Sequence, residues 1–188
     1  NQMRQGQLPA DFTQKKPDRS YFEASATYIP NMIAKIVQSA VKSGINPQEI
    51  QILAPMYRGA AGINRLNTII QDLLNPLDNQ QDFAFGEMSF RKGDKILHLI
   101  NDAELNVFNG DIGYITDLIP AKYTESKQDE LYLSFDGNEV IYPRNEWHKI
   151  TLAYAMSIHK SQGSEFQVVI LPITHQSRSL LPRTLIYT

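Results

Sequence analysis

Cysteine is absent from all 188 residues, which excludes disulfides, thiolate nucleophiles and cysteine-ligated metals. The four histidines (98, 148, 159 and 175) lack the close spacing of a zinc site, so zinc is not expected. No apolar run approaches the roughly 18–20 residues that span a bilayer. The opening stretch "NQMRQGQLPADFTQKKPDRS" lacks the apolar centre of a signal peptide. Membrane contact is therefore not expected, and a cytoplasmic location is. Charge of one sign is missing too: 18 basic against 20 acidic residues leave a net charge of −2. No global basic field advertises nucleic acid, so any such groove must be local. There is no G-x-x-x-x-G-K-[ST], and "GAAG" at 59–62 has neither the spacing nor the lysine. G-x-S-x-G and H-E-x-x-H are absent as well. A chain without a phosphate loop is not expected to hydrolyse a nucleotide unaided.

What is present is ordinary globular material, 42% hydrophobic and 20% charged, sized for one domain or one domain with a small insertion. Residues 1–27 read as irregular. Met32, Ile33, Ile36, Val37, Ala40 and Val41 then recur at helical spacing, with Pro30 in the first turn and Gly44 at the C-terminal cap. "IQILAP" is too short for a helix and reads as a buried strand. After the Gly-rich "YRGAAG", a second amphipathic helix carries Ile63, Leu66, Ile70, Leu73 and Leu74. This order predicts an α/β layer on a parallel sheet, with its first segment at 1–85. Over 86–147 the period changes: "DKILHLIND", "GYITDLI", "LYLSF" and "EVIYP" are short β-rich runs, with hairpin signals at "NGD" and "DGN". They predict a small inserted β-barrel. The α/β segment resumes at 148–188, where "LAYAMSIHKSQ" is compatible with a helix ending at Gly163 and "FQVVILPI" reads as another apolar strand. "RTLIYT" starts a further helical or extended element.

Chemistry concentrates in three places. Arg58 of "PMYRG" stands just past the end of a strand, where open α/β sheets bind ligands, and its guanidinium fork fits a phosphate. A loop arginine pairing with a surface acid fits that position equally. In "SIHKSQGSEF", Ser157, His159 and Lys160 can each donate to phosphate oxygens, Gly163 permits close backbone approach, and Glu165 can accept from ribose hydroxyls. Singly each suits a solvated surface; grouped within nine residues they favour a site. Asn109 and Asp111 of "VFNGDIG" are accounted for by the turn they form, with a ligand role open. Trp147 and Tyr154 read as core or domain-junction residues rather than base-stacking platforms.

In that order, "ILAPMYRG", "FRKGDKILHLIND", "VFNGDIG" and "LAYAMSIHKSQGSEFQVVILPI" resemble the C-terminal half of a RecD-like superfamily 1 DNA helicase, the exodeoxyribonuclease V alpha subunit family. The resemblance covers about residues 50–188, with 3–50 fitting more loosely. It implies a second RecA-like domain carrying an SH3-like barrel, with ATP and Mg2+ bound mainly by a preceding RecA-like domain that this sequence does not contain. It implies a single-stranded DNA track across both domains and 5′-to-3′ movement. By matching positions, Arg58 would be an arginine finger on the γ-phosphate. Gln162, Gly163 and Glu165 would line the nucleotide; Ser157, His159, Lys160 and Asn109 would face DNA. Some relatives work inside a nuclease complex and others act alone. The sequence ends where the family continues into another arginine-bearing motif, so the resemblance implies an excised segment, inactive in isolation. The alternative expectation is a nucleic-acid- or protein-binding module centred on the barrel, with no motor.

Overall fold

The structure, a computed structural model, describes residues 17–174. Helix α1 (Ile29–Lys42) buries Pro30, Ile33 and Val37, and Gly44 follows its C-cap as the sequence pattern predicts. Strand β1 (Ile50–Ala54) is almost wholly buried, and α2 (Ile63–Leu74) turns Ile63, Leu66 and Ile70 inward. A hairpin of β2 (Asp82–Phe85) and β3 (Met88–Arg91) follows. Then come β4 (Lys95–His98), β5 (Ile112–Ile119), β6 (Glu130–Phe135), β7 (Asn138–Pro143) and β8 (Ile150–Leu152). These five form one antiparallel sheet in the order β7-β6-β5-β4-β8, with a bulge in β5 between Ile115 and Asp117. The "DGN" signal is a tight turn joining β6 to β7, with Asp136 and Gly137 both at positive φ. The "NGD" turn does not join two strands directly; it closes the long loop of residues 99–111 ahead of β5.

Strands β9 (Ala155–Ser157) and β10 (Val168–Ile170) flank β1 in a parallel three-stranded sheet of order β10-β1-β9. The helix expected over "LAYAMSIHKSQ" is therefore a correction. That stretch is β8, then β9, then a 3-10 turn at Ile158–Ser161. Its continuous apolar character serves two sheets rather than one helix face, because Leu152 pairs with Ile96 and Ala155 pairs with Ile52. Periodicity cannot separate a doubly buried strand from a buried helix. Within "FQVVILPI" only Val168–Ile170 is a strand, and Val169, Leu171 and Ile173 are exposed along it. The expected break at 147/148 falls within a 3-10 stretch, Arg144–Lys149, while the antiparallel sheet continues to Leu152. "RTLIYT" and His175 lie outside the described residues.

One continuous apolar cluster joins the two sheets, running from Val37, Ile52 and Leu66 to Phe90, Leu131 and Trp147. Fully buried Trp147 stacks on Phe83 at 5.7 Å and meets Phe90 edge-on at 5.9 Å, so the β2–β3 hairpin is packed to the antiparallel sheet through aromatic contact. Among the described residues no helix is long and apolar enough to cross a membrane.

Candidate functional site

Ala54, the last residue of β1, stands opposite Ser157, the last of β9. Arg58 and the "SIHKSQG" segment thus leave the same carboxyl edge of a parallel sheet, the edge at which α/β sheets hold ligands. The loop after β1 is folded tightly onto the start of α2. Ile63 and Asn64 donate backbone hydrogen bonds to Met56 and Tyr57. A Cβ at Gly62 would lie 2.5 Å from the Arg58 carbonyl oxygen, so no side chain fits there. Arg58 itself is exposed, and its guanidinium makes no ion pair or hydrogen bond among the described residues.

The second segment crosses over β1. It leaves at Ser157, opposite Ala54, and returns at Val168, opposite Ile50 at the other end of the sheet. His159, Gln162, Gly163 and Glu165 are exposed along it, while Ser157 and Lys160 are half-buried. The Ser161 hydroxyl donates to the Ile158 carbonyl at 2.7 Å and closes the 3-10 turn.

Lys160 donates to the Asn109 side-chain oxygen, joining the crossover to the loop of residues 99–111. That loop is held from within. The backbone N–H of Asn109 donates to Asn101 Oδ1 at 3.0 Å, and that of Phe108 to Asp111 Oδ2 at 2.9 Å. Gly110 donates to the His98 carbonyl, and buried His98 bonds the Ile100 carbonyl through Nδ1 at 2.7 Å. Asp111 is thus occupied with the turn. The structure brings Ser157, His159, Lys160 and Asn109 into one neighbourhood and sets Arg58 on the adjoining loop. Gln162, Gly163 and Glu165 occupy the returning part.

A buried polar seam at the opposite, amino-terminal end of these strands was invisible to sequence reasoning. Asp94, fully buried, accepts from Asn75 Nδ2 and the Tyr154 hydroxyl on one oxygen, both at 2.8 Å. Its other oxygen accepts from Gln71 Nε2 at 2.8 Å and the Arg91 backbone N–H at 2.7 Å. Burial pushes its pKa up, against the pull of those four donors. Lys95, also buried, donates to the carbonyls of Gln48 and Ile50 and to Gln51 Oε1 at 2.9–3.2 Å. The only available signal was a charged pair, Asp94-Lys95, ahead of the apolar "ILHL".

Burial lowers the Lys95 pKa to about 8. In the unfolded chain the lysine holds its proton up to its ordinary 10.5, so between those values the unfolded state binds more protons. Stability therefore rises with pH across that window. Chemical denaturation at pH 7.5 and pH 10 should show the wild type gaining on Lys95→Met by about 1–2 kcal/mol. An unchanging difference would refute the shift.

A family model described as the ATP-dependent RecD-like DNA helicase SH3 domain matches residues 66–135, and a UvrD-like helicase C-terminal domain matches residues 152–188. The chain is 32% identical over 159 residues to the ATP-dependent RecD2 DNA helicase of Deinococcus radiodurans, covering 85% of this chain and 21% of that protein. With the RecBCD enzyme subunit RecD of Buchnera aphidicola it shares 28% identity over 144 residues, 75% of this chain and 23% of that one. The chain spans about a fifth of the length of these curated relatives. Among solved structures, a Bacteroides Pif1 helicase in complex with ADP-AlF3 and ssDNA aligns at a TM-score of 0.48 and 16% identity, over 87% of this chain and 44% of that one.

Proposed function

This chain belongs to the RecD-like family of DNA helicases, and we propose that it acts as the second RecA-like domain of an ATP-dependent 5′-to-3′ DNA motor. We assign residues 1–85 and 148–188, of which 17–85 and 148–174 are described, to the motor domain, and 86–147 to the inserted SH3-like barrel, extended by the few residues through which β8 outlasts it. The domain contributes one wall of an ATP cleft and part of a single-stranded DNA track. Arg58 reaches the γ-phosphate as a finger; Gln162, Gly163 and Glu165 line the nucleotide; Ser157, His159, Lys160 and Asn109 face the DNA backbone. Mg2+ is held mainly by the preceding RecA-like domain of the same protein. Among the described residues no group of three His, Asp or Glu side chains is arranged to hold a metal ion. Nuclease-complex subunits are further partners by analogy with the RecBCD subunit.

The observation that carries this reading is the shared edge: Arg58 and the crossover leave adjacent parallel strands, and Lys160 there meets Asn109 of the barrel loop. Nucleotide-facing and DNA-facing groups thereby sit on one short, continuous piece of backbone. The test is fluorescence anisotropy of this chain with an oligo-dT strand across a salt series. Binding should be weak, and each phosphate neutralised should contribute about −0.7 to the log–log slope. Lys160→Ala should flatten the slope by roughly one such step. Tight binding that ignores salt would point to base stacking or a protein partner instead.

A further inference from the structure

The stretch made of β9 and the crossover of residues 158–167 is flanked by two contacts to neighbouring barrel residues, one ahead of each strand. Tyr154, just before β9, donates its hydroxyl to Asp94 at 2.8 Å. Phe166, just before β10, lies under the Lys95 ammonium, 5.1 Å from nitrogen to ring centroid. Asp94 also takes Gln71 of α2 and Asn75 at its C-cap, the helix being the one that begins beside the Arg58 loop. Lys95 reaches the Ile50 carbonyl at the start of β1, the strand that ends at that loop. All four groups that donate to the Asp94 carboxyl are neutral, so this buried acid is held here by hydrogen-bond geometry. Such an arrangement is costly unless every lone pair is met, and it tolerates little displacement.

We propose that Asp94 and Lys95 are positioning residues: from the barrel they clamp the chain ahead of β9 and ahead of β10 and so set where Ser157–Glu165 stands relative to Arg58 and Asn109. The clamp makes the barrel a structural gauge for the site rather than an independent appendage. For its ligand the proposal rests on the reading above; for its geometry it does not.

Because Asp94→Asn turns an NH2 donor against the donating amides of Asn75 or Gln71 and risks misfolding, the test uses milder changes on the clamped side. Tyr154→Phe removes one donor, Phe166→Leu removes the ring, and Phe166→Tyr keeps it. Hydrogen exchange and oligo-dT anisotropy are measured on each. Tyr154→Phe and Phe166→Leu should speed amide exchange over 157–165 about tenfold while Leu131 and Leu133 of β6 stay protected. Their oligo-dT affinity should fall about three- to tenfold, as expected for loss of a single interaction. Phe166→Tyr should behave as wild type. Exchange that rises equally in β6 and the crossover, or in neither, overturns the clamp. If the crossover loosens as expected but no variant, nor the wild type, binds the oligonucleotide, the clamp stands and the DNA reading falls.

Discussion

Arg58→Ala in the full-length protein should lower DNA-stimulated ATP turnover by at least two decades while leaving single-strand affinity intact. The expectation follows from what the arginine does not do. It is exposed and holds no partner among the described residues, so its removal costs the fold nothing visible. Its backbone, by contrast, is fixed closely. Gly62 packs against the Arg58 carbonyl, and the N–H groups of Ile63 and Asn64 bind the Met56 and Tyr57 carbonyls just ahead of it. A cation held at the carboxyl edge of β1 but unused within the domain suits a charge supplied from across a cleft. Where fingers of this kind act in trans or in cis, they are worth roughly 10³–10⁵ in rate. Arg58→Lys should recover little, because a point charge cannot reproduce a planar fork on a phosphoryl group. Turnover that survives Arg58→Ala would reduce "PMYRG" to a loop and favour the barrel-centred binding module.

How much of this was legible in the sequence depended on whether one segment served one neighbour. Helices α1 and α2 each bury a single stripe against one sheet, so Ile33 and Val37, or Leu66 and Ile70, kept their spacing and could be read directly. The β6–β7 hairpin was equally open, since Asp136-Gly137 needs only its own turn geometry. Residues 152–162 do not follow the helical pattern because they serve three neighbours in turn: the antiparallel sheet, the Asp94 seam and β1. The candidate site was legible as a set of side chains but not as an arrangement. Lys160 and Asn109 are 51 positions apart, and nothing in either local pattern announces that they meet. Asp94 and Lys95 were hidden for a different reason. Beside a glycine, two charges read as a solvated turn, and only the partners that surround them show why they are buried.

The helix–strand tie at Asn67 should be the most costly single side chain to lose beneath the site. Asn67 lies on the buried face of α2 with 5% of its surface exposed, a polar residue in line with Ile63, Leu66 and Ile70. Its Nδ2 donates to the carbonyls of Leu152 at 3.3 Å and Ala155 at 3.0 Å. Its Oδ1 accepts from the Ala155 N–H at 2.8 Å. One side chain therefore satisfies backbone groups at the point where the chain passes from the antiparallel to the parallel sheet. Asn67→Leu keeps the size and the helix but leaves one N–H and two carbonyls unmet. At about 1–3 kcal/mol for each buried group left unpaired, the loss should be about 3 kcal/mol or more in urea denaturation. Asn64→Leu, on the exposed side of the same helix, should change stability by no more than about 0.5 kcal/mol. Because Ser157 lies two positions beyond Ala155, the loosening should spread into the crossover, raising amide exchange at 157–163 at temperatures where the barrel is still protected. A loss below about 1 kcal/mol with the crossover still protected would mean that the β1–β9 ladder alone fixes that strand, and that Asn67 merely occupies the space.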